Sequence, residues 1–463
     1  MSRWDVGCWV AVLLAATACG AVHGVATRTS PLAVSAAAGR TVHAVGRVSA
    51  VPSPVRSGAP GTMLVRLHVQ RLESVRATPT GPVGDVLVSG DVSVLAPAGW
   101  AGVEVGEQLR ARLRLQPAPG GRRVQAWAQA LGPPGRLAGP DALDRRVNRV
   151  RDGLRASCRL LAQPARGLVP AVVDGDTRGV SAATTSDMRV SGLLHLSAVS
   201  GANVAILLAT ATALLGLVGV GRIGTTVVCL GLVGGFTLVA DEAPSVLRAG
   251  LTTVLGLLGA RSGGPGTGLR TLATAAAVVV LTSPDMARDA GFALSVGATA
   301  AILLASGGFT TALGRWLPRP LAAALAVSIT AQLGAQPVVG ALSGQVSLVG
   351  PVANLLAAPA VGPITVVGLL AGAVSLLSPG ASAVVALGAG PPAWWLATLA
   401  HTCAHLPGAA APWPAGWLGV GCAVALAVVG LLYGPRVLGR RHTALPAAGV
   451  LIGIVVGPLV LPR

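Results

Sequence analysis

Ser191-Gly-Leu-Leu-His-Leu-Ser-Ala-Val-Ser-Gly-Ala-Asn-Val-Ala-Ile206 sets His195, Ser197, Ser200, Gly201 and Asn203 into an otherwise apolar run. Downstream of it the chain is almost continuous apolar sequence, broken by Gly and Pro. Inside a bilayer every backbone polar group must be satisfied within the segment, so such a run reads as membrane helices. A polar side chain at that depth is costly unless it is paired or faces water. Ser200-Gly201 also lets a helix break and expose backbone donors. Two readings follow: satisfied contacts between helices, or the lining of a wet cavity.

Composition agrees with a polytopic membrane protein. Of 463 residues 52% are hydrophobic and only 11% charged, with a mean hydropathy of +0.71; soluble chains carry about 25% charged residues. Candidate spans fall near 201–219, 224–240, 245–260, 270–283, 291–306, 321–341, 348–377, 383–406, 414–433 and 443–461, giving a domain over 191–463 with about eight to ten spans. Several are short or Pro-broken, a pattern that lines cavities. With Arg3 inside, threading the spans places Arg222, Arg261, Arg270, Arg315, Arg319, Arg436, Arg440 and Arg441 inside, and the C-terminus outside.

The formal charge is +18, and all 34 basic residues are arginine. Without lysine there is no Walker A phosphate loop, no Schiff base and no Ser-x-x-Lys nucleophile. Arginine suits bidentate phosphate contacts, although general replacement of Lys by Arg would give the same composition. Residues 28–140 carry 13 arginines against 5 acids. A polyanion or an anionic lipid surface is the expected neighbour. Six cysteines occur with no C-x-x-C spacing, and read as small apolar filler.

Residues 1–27 read as an N-terminal transmembrane helix, Val6–Ala26, in preference to a signal peptide cleaved after Ala16-Thr17-Ala18. Residues 28–140 then change character. Val42–Ala50, Met63–Ser74, Gly84–Ala96, Gly106–Gln116 and Arg122–Ala130 alternate apolar and polar residues with period two, and Pro/Gly-rich turns separate them. Five short strands predict a small barrel of OB type, extracytoplasmic by the threading above. Its Trp100 and Trp127 offer little base stacking. Residues 141–190 read as an amphipathic helix over 141–169 followed by a linker. Leu143, Val147, Val150, Leu154, Cys158 and Leu161 form its apolar face, with Arg145, Arg146, Arg149, Arg151, Arg155 and Arg159 around the rest.

The stretch His195-Leu-Ser-Ala-Val-Ser-Gly-Ala-Asn-Val204 resembles the ComEC competence-family signature H-L-L-A-V-S-G-L-H-V, with Asn203 at the second His. Other blocks follow the family order. Leu168–Arg178, holding Asp174-Gly175-Asp176, is similar to its L-x-L-G-D segment, and Ala243–Ala249 to its P-S-V-x-R-A motif. Ser283–Ser295 is similar to its D-P…G-F-Q-L-S block, with Ala293 at the Gln. Ala331–Pro337 and Gly344–Pro359 resemble its Q-x(3)-P and A-N-L-x-x-x-P blocks.

The resemblance implies a channel in the bacterial plasma membrane that carries single-stranded DNA into the cytoplasm during natural transformation. It assigns His195, Ser200, Gly201, Asn203, Pro244, Ser245, Arg248, Gln332, Gln336 and Asn354 to the path, with Arg248 facing phosphate. It implies a separate cytoplasmic ATPase or helicase, since no energy-coupling motif is present, and lipid around the spans. A DNA receptor and a homo-oligomer are further expected partners. No cofactor and no catalytic residue are implied. The H-x-H-x-D-H motif of the metallo-β-lactamase-like nuclease domain found in many members does not occur, so the resemblance is to a member lacking that domain or to one whose nuclease is a separate chain.

Two other constellations compete. His401-Thr-Cys-Ala-His405 places two His one helical turn apart, but Thr402 stands where a zincin has its Glu, and no acidic third ligand is near in sequence; the pair reads as structural. Asp174 and Asp176 read as a helix-terminating turn or as a cation site. Other functions consistent with the sequence are transport of another substrate by a broken-helix fold, and a membrane-embedded hydrolase using Asp174, Asp176 and His195.

Overall fold

Between Gln108 and Gln116 the side chains alternate so that Leu109, Ala111, Leu113 and Leu115 are buried while Arg110, Arg112 and Arg114 are exposed. This period-two pattern forces an extended strand with one face on a core. The computed structural model describes residues 29–55, 61–76, 83–117, 124–197, 201–240, 267–283, 286, 289–414 and 416–438. Its first unit holds α1 (Pro31–Ala37), β1 (Thr41–Val48), β2 (Ser53–Pro54), β3 (Met63–Arg76), β4 (Val83–Ala96), β5 (Gln108–Pro117), β6 (Ala126–Ala130) and β7 (Gly135–Ala138).

Strand β1 pairs antiparallel with both β3 and β5; β3 continues to β4, β4 to β6 in parallel, and β6 to β5. These five pairings return to their starting strand. Leu67, Leu72, Leu109, Leu113, Leu115 and Trp100 fill the interior, each leucine contributing about 1.5–3 kcal/mol relative to exposure. Trp100 lies in this core and donates its indole N–H to the Gly132 carbonyl (2.9 Å), so it is not available to stack on a base. All five anticipated strands form. The fifth is shorter than the anticipated Arg122–Ala130, and β2 and β7 had no alternating signal.

The remaining chain is helical: α2 (Ala142–Ser157), α3 (Ala165–Val173), α4 (Ala182–Val190), α5 (Gly201–Leu217), α6 (Arg222–Val239), α7 (Thr267–Thr282), α8 (Ala290–Leu313), α9 (Arg319–Ser343), β8 (Gln345–Ser347), α10 (Gly350–Ser375), α11 (Pro379–Leu387), α12 (Gly390–Ala404), β9 (Ala410–Pro412) and α13 (Gly416–Leu438). Five of the described helices are long and apolar enough to cross a membrane: α6, α8, α9, α10 and the Leu418–Leu438 part of α13. The bent pair α11–α12, at 46°, makes six if it counts as one span. The expected spans at 245–260 and 443–461 lie outside the described residues, as does the expected first helix.

The single helix expected over 141–169 is not formed. A short 3₁₀ turn, Cys158–Leu160, follows α2, and the chain leaves helical geometry at Leu161 before Pro164. Proline disfavours helical backbone in the residue before it and cannot donate to the preceding turn. Nor is α2 an isolated surface helix. It packs on α10, where Gly372 meets Val150 and Leu154, and Gly153 lies against Ser375. Most of α3 is fully buried, with Val169 and Val173 seated over Gly368.

Helix α10 is the most buried candidate span, and α2, α3, α5, α9, α11 and α12 all pack on it. It stays helical through Pro359 and Pro363. These prolines cannot donate to the Leu355 and Pro359 carbonyls; nearby, the Trp395 indole donates to the Leu356 carbonyl (3.0 Å).

Candidate functional site

Two polar places stand out in the helical region. The first is the junction of α9, β8 and α10. Gln332 and Gln336 lie one turn apart on α9, on one face. Gln332 donates its amide to the Ser347 carbonyl (2.6 Å), and its Oε1 sits so close to Gly350 that a Cβ there would push the Gln332 side chain away. Pro337 leaves the Leu333 carbonyl without its helical donor. Gln336 Nε2 and Ser347 Oγ are buried with no hydrogen-bond partner among the described residues. An unsatisfied buried polar atom costs about 1–3 kcal/mol.

The Gly192 turn closes this junction from the other side. Its φ of +78° belongs to glycine, and a Cβ there would lie 3.1 Å from Ser347 Oγ and 3.2 Å from the Gly350 Cα. His195 follows on a one-turn 3₁₀ segment, exposed, donating Nδ1–H to the Gly192 carbonyl (3.1 Å). Its Nε2 is therefore left as an acceptor. Gly201 opens α5 and Asn203 falls in its first turn. Asn354 is half-buried one turn after Gly350. Thus Gln332 and the turn before His195 converge on β8, with Gln336 one turn further along α9. Ser200, Pro244, Ser245 and Arg248 lie outside the described residues. Sequence reading did not single out Gly192 or Ser347; the only signal was their place inside the quoted Ser191–Ile206 and Gly344–Pro359 stretches.

The second place is a cavity of about 180 Å³ between the sheet unit and the helices, bordered by Arg66, Arg151, Arg178, Asp174 and Asp176. Asp174 ends α3, and Gly175 turns the chain with φ +83°. The Asp176 N–H donates to Asp174 Oδ1 (3.1 Å). Arg155 donates from Nε (2.9 Å) and Nη2 (2.5 Å) to Asp176 Oδ2; Arg178 donates Nε to Oδ1 (2.8 Å). Two guanidinium groups thus occupy the Asp176 carboxylate. Burial pushes Asp174 up to about 7, and pushes Asp176 up against the opposing pull of Arg155. Arg66 is exposed and makes no ion pair among the described residues.

Of the arginines around α2, Arg145, Arg146 and Arg149 are exposed, but Arg151 is not. Arg151 is buried and donates Nε to Val239 O (2.9 Å) and Nη2 to Leu238 O (3.1 Å), capping the C-terminus of α6. Arg47 of β1 bonds Asp141 (3.0 Å) and Asp144 at the N-terminus of α2, which fixes the sheet unit on that helix.

The His401/His405 pair needs a correction. An acidic neighbour is present: Asp187, on α4, places Oδ2 2.9 Å from His401 Nδ1. Among the described residues, Asp187, His401 and His405 are the one group of three metal-binding side chains close enough to share an ion. Asp174, Asp176 and His195, the residues of the hydrolase reading, do not form such a group.

A family model described as Competence protein matches residues 172–436, more than half of the chain, from the end of α3 into α13. ComE operon protein 3 of Bacillus subtilis (strain 168) is 29% identical over 200 residues, which cover 43% of this chain. The match spans 25% of that relative's length. No solved structure matches the chain.

Proposed function

The chain belongs to the Competence protein family, and from that premise we propose that it serves DNA uptake as a multi-pass channel for single strands in the bacterial plasma membrane. The observation that carries this reading is the α9–β8–α10 junction. Gln336 Nε2 and Ser347 Oγ are buried without partners among the described residues, in helices apolar enough to cross a membrane and at the turn that joins them. Unpaired polar groups at such depth are retained where water or a polar substrate meets them. Gln332, Gln336 and Asn354, with His195 and Asn203 at the opposite turn, are the polar lining in this reading; Ser200, Gly201, Pro244, Ser245 and Arg248 extend it.

The sheet unit is, in this proposal, an OB-type barrel outside the membrane. The closed series of pairings with a single parallel pair supports the barrel. Its placement rests on α6, whose last carbonyls bond Arg151 on α2, next to the sheet unit. Arg222 opens the other end of that helix, and the positive-inside rule puts it in the cytoplasm. Exposed Arg66, Arg112 and Arg114 would hold the strand by its phosphates. A separate cytoplasmic ATPase supplies the force, the strand bypasses any catalytic step here, and a DNA receptor, a separate nuclease and self-association complete the expected partners.

The test is uptake of labelled DNA in a competent native host, comparing a clean deletion with the same strain complemented by the wild-type chain. The channel reading expects surface-bound DNA to persist while DNase-protected cytoplasmic DNA disappears and returns on complementation. Unchanged uptake in the deletion strain would sink it, and transport of another substrate would take its place.

A further inference from the structure

Helix α12 ends in His401-Thr-Cys-Ala-His405, and α4 lies against that end. The two imidazoles sit on one side of the last turn, with ring centroids 4.2 Å apart. His405 donates Nδ1–H to the His401 carbonyl (2.8 Å). That bond fixes its tautomer and leaves Nε2 with a free lone pair, the arrangement in which metal-binding histidines are held. Asp187 arrives from 214 residues earlier, with Oδ2 2.9 Å from His401 Nδ1. One ligand atom from each of the three lies within 4.8 Å of the other two.

We propose that Asp187, His401 and His405 form a binding site for one divalent transition-metal ion of the zinc class, bridging α4 and α12. Two imidazoles and one carboxylate are the donor set that zinc takes, at about 2.0–2.2 Å from each atom. Oxygen-seeking ions such as magnesium and calcium prefer carboxylates and carbonyls, so imidazole donors select against them. Three protein ligands leave a fourth position, and the 65% exposure of the His401 side chain leaves it open to water. Asp187 is 19% exposed, which anchors the ion on the protein side. The ion would tie down α4, whose last residue is two positions before the Gly192 turn.

The experiment uses the full chain in detergent with a Strep tag, so that no tag histidines compete. The protein is stripped with chelator and titrated with Zn²⁺ alone, then with Co²⁺ alone as a spectroscopic probe. The expected result is one equivalent of tightly bound Zn²⁺, a visible Co²⁺ ligand-field band, and a higher thermal midpoint with Zn²⁺. His405→Ala removes an exposed side chain at a helix end and leaves packing intact; it should weaken Zn²⁺ binding at least about tenfold. Asp187→Asn should do the same. If His405→Ala binds Zn²⁺ as well as wild type, or if wild type binds none, the proposal fails and the His401–Asp187 contact is an ion pair only.

Discussion

Gly297 of α8 and Gly334 of α9 meet backbone to backbone. A Cβ on Gly297 would lie 2.7 Å from the Gly334 carbonyl oxygen, and one on Gly334 would overlap the Gly297 carbonyl and the Ala301 side chain. Neither can accept a side chain unless the helices part. Within a bilayer, helices gain little from hydrophobic burial against each other, so close approach at small residues provides much of the attraction. Gly334→Leu should therefore lower the stability of the purified protein by about 1–3 kcal/mol, the usual cost of overpacking. Gly307→Leu, where a Cβ meets open space on the same α8, should change little. Thermal unfolding in detergent decides it: equal midpoints for the two variants would mean that the crossing does not hold the pair.

Asp176 is a hub with 8% exposure, accepting from Arg155 and Arg178. Removing it leaves two guanidinium groups at the cavity without their carboxylate. Asp176→Ala should cost about 3 kcal/mol, the low end for breaking a buried pair, since both arginines keep some water. Adding Arg155→Ala to Asp176→Ala should cost less than the sum of the single changes. A double-mutant cycle on unfolding free energies checks this; strict additivity would show that the two side chains do not act together.

Asp174 closes α3 outside the candidate spans, and its carboxyl is held near 7 by burial against 3.8 for a free side chain. Below about pH 4 it is protonated in both folded and unfolded chains, and its contribution is neutral. As pH rises from about 4 to about 7 the unfolded chain releases the proton while the folded chain keeps it. Stability should therefore fall across that window and level off above it. Asp176, also raised, adds slope of the same sign. Asp174→Asn should flatten the decline without abolishing it, seen as unfolding midpoints from pH 4 to 8. An unaltered slope in the variant would remove Asp174 as the source.

How much of this was legible in sequence depended on the range of the interactions. Leu109 to Leu115 announced a strand because period two is a local property, and Arg110, Arg112 and Arg114 marked its outer face. The helices from α5 onward were legible because long apolar runs have few alternatives in a bilayer. The pairing of Gly297 with Gly334 was not: with 63 glycines in the chain, nothing local distinguishes one that touches a neighbour from one that faces lipid. Asp187 was missed as a partner of His401 for the same reason, being 214 residues away. Arg151 looked like the other arginines of α2; only the packing of α6 reveals it as a buried cap. The break of the helix expected over 141–169 was the legible error, since Pro164 stood in plain view.

Gln336 tests whether an interior polar group is kept for function at a cost in stability. Among the described residues its amide nitrogen is buried without a partner, as is Ser347 Oγ, and Pro337 in the same helix leaves the Leu333 carbonyl without its helical donor. Leucine at this position removes the unsatisfied amide and keeps a similar volume on α9. Gln336→Leu should raise stability by about 1–2 kcal/mol, since it ends a desolvation penalty and gains apolar contact. In a competent host the same variant should lower protected DNA uptake several-fold, because it dries the junction, while Gln336→Asn keeps most of it. Stability from thermal unfolding and uptake from labelled DNA must move in opposite directions. If Gln336→Leu is more stable and fully active, the junction is packing rather than path, and the polar lining must be sought elsewhere among the helices.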